Sequence, residues 1–246
     1  MDNKATLIGY YGGDTTHCLS AWQSTNVELE FTQDINTRTS IMFAETAKNK
    51  KKNPQELLAM LAQEGHETPF EKSALHFQLT ADIASHIHCL KRRIGTSVNC
   101  ESARYKELED KLYVPDDWHS MPVSPKAKLV VNQLVDVEYS VTWGDVLSRF
   151  GMISHELYHA ACEDITEKLG RKRAKESARY FLPYAKQLDY DMMFNFRSFI
   201  HFQRLRNTEH AQVEIREIAQ SMLEQVQAIP GNPFKYSLQA FGLPAD

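Results

Sequence analysis

Apolar positions recur along the chain with the periods of both strands and helices. Residues 6–11 form a short apolar run that ends in a Gly-Gly-Asp turn, which predicts a strand. Residues 73–79 alternate between apolar and polar side chains, which predicts a second strand. The residues expected on its buried face are Leu75, Phe77 and Leu79.

Helical periodicity covers most of the remaining sequence. Asn53 and Pro54 form an N-cap followed by a first-turn proline, and Gly65 marks the end of that helix. A further helix is expected from Asp82 to Arg92. Additional helices are expected at 147–169, 174–181, 191–206 and 208–226. The most regular apolar stripe lies on the last of them and consists of Ile215, Ile218, Met222 and Val226.

Other segments lack a clear period. Residues 94–104 are small and polar, which predicts a loop. Residues 107–145 are the least regular part of the chain, and Val135 to Trp143 fits either a strand or a helix. The cationic run 48–52 predicts an exposed loop between helices. Many helices with a few strands indicate the α+β class.

Composition limits the classes of function that fit. The chain has 246 residues, 42% of them hydrophobic, and a net charge of −4. We interpret it as a single globular domain spanning residues 1–246. No general affinity for nucleic acid or for anionic membranes is expected at that charge. No apolar stretch approaches the roughly 18 residues of a membrane-spanning helix, and the N-terminus does not resemble a signal peptide.

The cysteines indicate a reducing compartment. Cys18, Cys89, Cys100 and Cys162 are widely spaced and form no C-x-x-C pair. A disulfide framework or a structural zinc site is therefore not expected. We expect a cytoplasmic protein.

One local pattern points to metal chemistry. His155-Glu156-Leu157-Tyr158-His159 is an H-E-x-x-H motif. On a helix it places two imidazoles on one face, where they can hold zinc while the glutamate activates water. No downstream residues complete a zinc-protease signature. We interpret the motif as part of an amphipathic helix and expect no metal, with a zinc hydrolase as the alternative.

A second pattern suits a phosphorylated ligand. Residues 91–93 place three cations at a helix end, and residues 94–105 follow with hydroxyls, amides and Arg104. Arginine forms forked, charge-assisted hydrogen bonds to phosphate, and serine hydroxyls with backbone N–H groups complete such a site. The alternative is a solvated helix terminus whose cations offset the helix dipole. Local chemistry alone does not separate these two interpretations.

Five blocks of sequence occur in the order typical of one enzyme family. They are His66-Glu67-Thr68-Pro69-Phe70-Glu71, S-x-N-x-x-S-x-R-Y at 97–105, A-R-x-x-L-P at 178–183, N-x-R-S at 195–198, and Leu205-Arg206 followed by His210-Ala211-Gln212-x-Glu214-Ile215. These blocks resemble the flavin-dependent thymidylate synthases. The resemblance covers most of residues 5–105 and 174–240, and the region 107–173 matches less well.

The resemblance implies the fold of the thymidylate synthase-complementing proteins. This is a small, mainly antiparallel sheet flanked by helices, in a helix-rich homotetramer whose active sites are shared between subunits. It also implies reductive methylation of dUMP to dTMP, with methylenetetrahydrofolate as the one-carbon donor and with FAD reduced by NADPH. In that mechanism a guanidinium polarises the uracil ring, so no enzyme nucleophile is needed. The matching residue is Arg206.

The family motifs, carried over residue by residue, imply two sets of binding residues. The residues implied for dUMP are His88, Cys100, Glu101, Ser102, Ala103, Arg104, Arg179 and Arg206. Of these, Arg179 would come from a neighbouring subunit. The residues implied for FAD are Thr68, Lys91, Arg92, Arg93, Asn195, Arg197 and His201.

The chain departs from the family pattern at its R-H-R trio. The trio reads Lys91-Arg92-Arg93, with eight residues (94–101) before Ser102. Either the loop has one extra residue, or the trio shifts to residues 92–94. His201 and His88 also stand where the family commonly has Asn and Gln.

Cys100 stands where the family usually has an acidic residue. Nearby arginines would lower the pKa of its thiol and favour a nucleophile. We interpret Cys100 instead as a small substitute for the acid.

Two alternatives to the synthase keep the same fold. One releases a hydroxymethylated pyrimidine deoxynucleotide, and the other binds nucleotide or flavin without turnover.

Overall fold

The computed structural model describes residues 2–24, 34, 37–38, 41, 53–91, 93–134 and 141–245. The chain divides into two compact units. The first unit comprises Met1–Lys4, Leu79–Lys91 and Asn99–Tyr190, and the second comprises Ala5–Gln78, Arg92–Val98 and Asp191–Asp246. That residues 1–246 behave as a single domain stays a prediction.

A four-stranded sheet contributes residues to both units. Its strands are β1 (Lys4–Tyr11), β2 (Ala74–Asp82), β3 (Thr96–Cys100) and β4 (Gln187–Phe194), in the order β1-β2-β4-β3. Between β3 and β4, Glu101 N–H donates to Asp189 C=O and Asn195 N–H donates to Gly95 C=O. The partner numbers run in opposite directions, so this pair is antiparallel, as is the sheet as a whole.

Helices make up most of the remaining described structure. They are α1 (Asp14–Gln23), α2 (Pro54–Gln63), α3 (Ile83–Leu90), α4 (Pro125–Val131), α5 (Trp143–Leu169), α6 (Arg171–Ala178), α7 (Phe196–Arg206), α8 (Val213–Gln227) and α9 (Lys235–Ala240). Short 3-10 helices lie at Thr68–Glu71, Asp116–Ser120 and Arg179–Phe181. A helix-rich fold with a small antiparallel sheet confirms the α+β class.

Several predicted elements are confirmed. Residues 6–11 lie in β1, and the predicted face of β2 is buried, with Leu75, Phe77 and Leu79 at most 1% exposed. Asn53 caps α2 by accepting a hydrogen bond from Glu56 N–H, and Gly65 follows the helix end with a φ of 71°.

Two predictions are wrong at β3 and β4. Residues 94–104 were expected to form a loop, but Thr96–Cys100 is the edge strand β3. Residues 191–206 were expected to be one helix, but β4 runs to Phe194 and Asn195 caps α7. In both cases backbone pairing between β3 and β4 overrides the local pattern, because hydrogen bonding across strands depends on tertiary structure.

Other helix boundaries shift by a few residues. Helix α5 begins at Trp143, four residues before the predicted start, and α6 ends at Ala178 before a 3-10 turn. Helix α8 begins at Val213, so residues 208–212 lie outside it. The cationic run 48–52 and residues 135–140 lie outside the described residues.

The core of the second unit is built from aromatic side chains. Phe196 stacks on Phe234 with ring centroids 5.3 Å apart. His17 packs against both rings, and its two ring nitrogens lie 2.8 Å from the hydroxyls of Ser237 and Ser73. Burial lowers the pKa of His17 to about 3, so the ring is neutral at neutral pH. The predicted apolar stripe of α8 is buried in this unit as well: Ile215, Ile218, Met222 and Val226.

The first unit has two smaller hydrophobic clusters. Tyr158 of α5 is fully buried, and its hydroxyl accepts a hydrogen bond from Leu108 N–H at 3.1 Å. The other members of this first cluster are Ala103, Cys162 and Ala178. The second cluster consists of Val123, Val131, Val141 and Val146. None of the helices within the described ranges has the length and apolar character needed to cross a membrane.

Candidate functional site

The residues implied for dUMP, apart from Arg206, belong to the first unit, and residues 100–104 among them lie at the end of β3 or directly after it. Ser102 Oγ accepts a hydrogen bond from Arg104 N–H at 3.3 Å, which fixes the turn between them. The Arg104 side chain is 46% exposed, and its Nε lies 2.6 Å from Glu176 Oε1. An exposed guanidinium held by one surface carboxylate remains available to a competing anion.

Arg104 and Arg179 extend from one packed cluster. Ala103 and Ala178, their neighbours in sequence, are both buried in the cluster around Tyr158. Arg179 opens the 3-10 turn after α6 and is exposed. The structure therefore brings these two predicted phosphate ligands to neighbouring parts of the first unit.

Cys100 is the last residue of β3, and Glu101 follows it with contacts to β4 and to Lys106. Glu101 Oε1 accepts a hydrogen bond from Asp189 N–H at 3.0 Å, and Glu101 Oε2 pairs with Lys106 Nζ at 2.7 Å. Burial, reinforced by Glu101 and Asp189, raises the pKa of Cys100 to about 11. The thiol is therefore protonated at neutral pH, which favours the interpretation of Cys100 as a small substitute over a nucleophile.

The cationic trio after α3 is partly described. His88 lies within α3 and is half-buried, Lys91 is exposed at the end of that helix, and Arg93 is exposed. Arg92 lies outside the described residues.

The residues implied for FAD lie mainly in the second unit, at the start of α7. Asn195 caps α7 by accepting a hydrogen bond from Ser198 N–H at 2.8 Å. Ser198 Oγ donates to Ile94 C=O at 2.7 Å, and Asn195 N–H donates to Gly95 C=O at 2.8 Å. The segment that carries Arg93 is thereby fixed against the N-terminus of α7.

Arg197 connects this region to the 3-10 helix that starts at Thr68. Its Nε lies 2.6 Å from Glu67 Oε2, and its Nη1 lies 2.6 Å from Glu71 Oε1. Both glutamates belong to a motif block, yet no role was predicted for them from the sequence. The sequence feature that could have indicated a role for them is the presence of two carboxylates on either side of Thr68 in the H-E-T-P-F-E block. His201, one turn further along α7, is exposed.

Arg206 and Arg204 share the end of α7 but differ in surroundings. Arg206 is half-buried, and no ion pair to it exists within the described part of the chain. Arg204 is exposed, with its guanidinium 5.3 Å from the centroid of the Phe241 ring and Nη2 donating to Phe241 C=O at 3.4 Å. The positive charge of Arg206 is therefore not neutralised by the described part of the chain.

The H-E-x-x-H motif lies on α5, as expected. His155 is buried, and its Nδ1 lies 2.8 Å from Gly151 C=O in the same helix. His159 instead pairs with Asp110 and Glu107. In the described ranges, no group of three or more His, Cys, Asp or Glu residues is arranged to hold a metal ion.

Comparison with known proteins identifies the family. Residues 6–230 match the family model described as "Thymidylate synthase complementing protein". The chain belongs to this family. The matched region contains all five motif blocks, so the resemblance read from the motifs is confirmed.

Curated relatives of this thymidylate synthase complementing protein family carry the name flavin-dependent thymidylate synthase. One from Thermosipho africanus is 32% identical over 163 residues, which cover 66% of this chain and 67% of the relative. One from Streptomyces avermitilis is 29% identical over 180 residues, covering 72% and 70%. The expectation that this chain is an enzyme of that kind is confirmed.

Solved structures of the same fold include the UMP/dUMP methylase PolB from Streptomyces cacaoi bound with 5-Br dUMP. It aligns with a TM-score of 0.66 at 22% identity, over 98% of this chain and 94% of that chain. A second structure of PolB, bound with 5-Br UMP, aligns with a TM-score of 0.64. At this identity the likeness concerns the fold.

Proposed function

We propose that this protein catalyses the reductive methylation of dUMP to dTMP, with methylenetetrahydrofolate as the one-carbon donor and with FAD and NADPH. The observation that carries the proposal is the family match over residues 6–230, a range that contains all five motif blocks. The names of the curated relatives support both the reaction and the flavin.

Arg206 would activate the uracil ring. Carbon C5 becomes nucleophilic when negative charge on the ring is stabilised, and a preorganised cation at a carbonyl oxygen and N3 does this without a covalent adduct. Arg206 is half-buried and unpaired among the described residues, so its charge is not already neutralised. Its guanidinium stays protonated throughout the reaction.

Ser102, Arg104 and Arg179 would hold the phosphate of dUMP. The Ser102 hydroxyl and the two guanidinium groups supply donors to phosphate oxygens. Arg104 would exchange its contact with Glu176 for the phosphate, because a dianion competes well with one exposed carboxylate. His88 and the segment 100–103 would contact the rest of the nucleotide.

The start of α7 fits a group that carries phosphates. Arg93 is exposed and forms no ion pair with any other described residue, and it lies on the segment fixed against the first turn of α7. Thr68, Asn195, Arg197 and His201 add polar groups, with Lys91 and Arg92 as further candidates. FAD bound there would supply the reducing equivalents that complete the methyl group. Arg197, held by Glu67 and Glu71, would position the cofactor.

The active sites would be shared between the subunits of a homotetramer, with Arg179 contributed by a neighbour. The cytoplasm would be the site of this reaction.

A different product is favoured by one observation, the departure of residues 91–93 and Cys100 from the family pattern. An enzyme that transfers the one-carbon unit without the final reduction would release a hydroxymethylated pyrimidine deoxynucleotide.

Product analysis tests the proposal. Purified protein is incubated with dUMP, methylenetetrahydrofolate and NADPH, and the product mass is measured. We expect dTMP, together with flavin absorbance near roughly 450 nm. A hydroxymethylated product would support the second candidate, and the absence of any product would contradict both. UMP is tested in parallel, because PolB is described as a UMP/dUMP methylase.

A further inference from the structure

An open depression in the first unit has a strongly basic lining. Its volume is about 500 Å³, and it lies where α5 gives way to α6. The lining residues are Arg104, Leu169, Gly170, Arg171, Lys172, Arg173 and Glu176. Four of them are cations and one is an anion, in a chain whose net charge is −4. The positive charge is therefore concentrated here and is not a general property of the surface.

Most of this charge is not neutralised by the protein. Within the described ranges, Arg171 and Lys172 form no ion pair. Both are exposed in the first turn of α6, a helix turn that carries no acidic residue. Helix N-termini favour negative charge, so cations placed there are electrostatically unfavourable for the isolated protein. An anionic ligand would relieve this repulsion.

Glu176 shows where an anion lies within the depression. Its Oε1 is 2.6 Å from Arg104 Nε, and its Oε2 is 3.7 Å from Arg173 Nη1. Two guanidinium groups from different parts of the chain therefore converge on one carboxylate. The Glu176 side chain is 20% exposed, so this position is reachable from solvent.

We propose that this depression binds the phosphate chain of a nucleoside di- or triphosphate, with Arg171, Lys172 and Arg173 as its ligands. A single phosphate group, carrying about two negative charges, can be satisfied by Arg104 and the donors already assigned to dUMP. The three cations of α6 that line the depression exceed that need, and a chain of two or three phosphates matches them in charge.

Arg104 links this site to the proposed function. If Arg104 holds the phosphate of dUMP, as the proposed function requires, a polyphosphate in the depression competes for the same guanidinium. A nucleoside triphosphate therefore inhibits the enzyme by displacing substrate. The polyphosphate site itself does not depend on that assignment.

Calorimetric titration of the purified protein with inorganic phosphate and with tripolyphosphate tests the site directly. We expect tripolyphosphate to bind at least about tenfold more tightly, and the Arg171→Ala/Arg173→Ala double variant to lose about tenfold to a hundredfold of that affinity. Glu176→Gln should strengthen binding, because it removes the internal competitor. Lys128→Ala, which removes an exposed lysine of α4, is the matched control and should bind as the wild type does.

Two controls keep the test decisive. Circular dichroism checks that each variant is folded, and Arg171→Lys/Arg173→Lys should retain most of the affinity if the double alanine variant does not fold. Equal affinity for phosphate and tripolyphosphate would overturn the site, as would full affinity in a folded double alanine variant. dUTP that binds no more tightly than tripolyphosphate would overturn the assignment to a nucleotide.

Turnover assays separate this inference from the proposed function. We expect dUTP to inhibit dUMP turnover, and the double alanine variant to need about tenfold or more dUTP for the same inhibition. If the protein methylates dUMP but binds tripolyphosphate no more tightly than inorganic phosphate, the polyphosphate site is refuted and the proposed function stands. Tripolyphosphate binding through Arg171 and Arg173 without dUMP turnover would refute the function and leave the site.

Discussion

Two arginines on one helix have opposite surroundings. Arg206 ends α7 half-buried and without an ion pair in the described part of the chain. Arg204 lies over the ring of Phe241 and donates to its carbonyl. Residues two apart do not face the same side of a helix. The Arg206 guanidinium therefore has no protein counter-charge in the described part of the chain, whereas the Arg204 guanidinium is held against Phe241.

Arg206→Ala should lower turnover by about 10² to 10³, the usual effect of removing one preorganised donor that acts in the transition state. Flavin content and thermal stability should stay near the wild-type values. Arg206→Lys should restore only part of the rate, because a point charge does not reproduce the planar guanidinium. Steady-state kinetics measures each effect.

Arg204→Ala is the control for this prediction. It should keep most of the turnover and lower stability by about 1 kcal/mol or less, because an exposed cation–π contact is weak. Equal loss of turnover in both variants would remove Arg206 from its special role.

Arg104 and Arg179 should act on dUMP and not on FAD. Each would form charge-assisted hydrogen bonds to phosphate of about 1.5–3 kcal/mol. Replacing either with alanine should raise the dissociation constant of dUMP about tenfold to a hundredfold. Flavin content, read from absorbance, should not change. Loss of flavin with unchanged dUMP affinity would show that the two sets of residues were assigned to the wrong ligands.

At the scale of secondary structure, the contact between β3 and α7 depends on one glycine. Gly95 has a φ of 66°, and a Cβ there would lie 2.3 Å from Asn195 Nδ2 and 2.4 Å from Ser198 Oγ. Gly65 has a similar φ of 71°, yet a Cβ added to it would have no neighbouring atom within 4 Å. The two glycines therefore share a left-handed backbone conformation and differ in packing.

Gly95→Ala should destabilise the protein clearly more than Gly65→Ala. Both variants carry the left-handed strain of about 1 kcal/mol, but only the first displaces the start of α7. We expect Gly95→Ala also to reduce flavin content, since the residues proposed for FAD surround this contact. Thermal unfolding and flavin absorbance of the two variants provide the measurement. Similar values for both would contradict this role of the contact.

At the scale of the whole molecule, the core of the second unit makes stability depend on pH. Burial lowers the pKa of His17 to about 3 in the folded protein, against an ordinary value of 6.5. Between these values the unfolded chain binds a proton that the folded chain excludes. The free energy of unfolding therefore decreases as pH falls below 6.5, by up to about 1.4 kcal/mol per pH unit.

His17→Gln should show a weaker loss of stability between pH 6.5 and 4, although it is less stable at neutral pH. Asp14, which also bonds Ser237, has a pKa raised by burial and acts with the opposite sign. Comparing the two proteins at each pH largely cancels the contribution of Asp14. Denaturant titrations give the free energies, and parallel pH profiles would exclude His17 as the cause.

Assembly is the second property at this scale. If Arg179 and Arg206 of one active site come from different subunits, the Arg179→Ala and Arg206→Ala variants should each be nearly inactive. Refolding them together should restore part of the turnover, because some mixed sites contain both arginines. Light scattering should report a tetramer. A fully active monomer, or no recovery in the mixture, would contradict a shared site.

The sequence by itself determined the class of fold and the family, and it predicted the site residues. Local signals sufficed for α2, where Asn53, Pro54 and Gly65 define the helix, and for the buried face of β2. The motif blocks assigned predicted roles to Arg104, Arg179 and Arg206 without any structure. These features depend on backbone preferences and on residue order, both of which are visible in a linear chain.

Only the tertiary structure decided what each side chain contacts. It placed residues 96–100 and 191–194 in strands, because their hydrogen-bond partners lie far away in sequence. It showed that burial, reinforced by Glu101 and Asp189, raises the pKa of Cys100, which the sequence alone did not reveal. It also placed residues 171–173 beside Arg104. Pairing, burial and electrostatic environment arise from contacts between distant segments, and local sequence does not encode them.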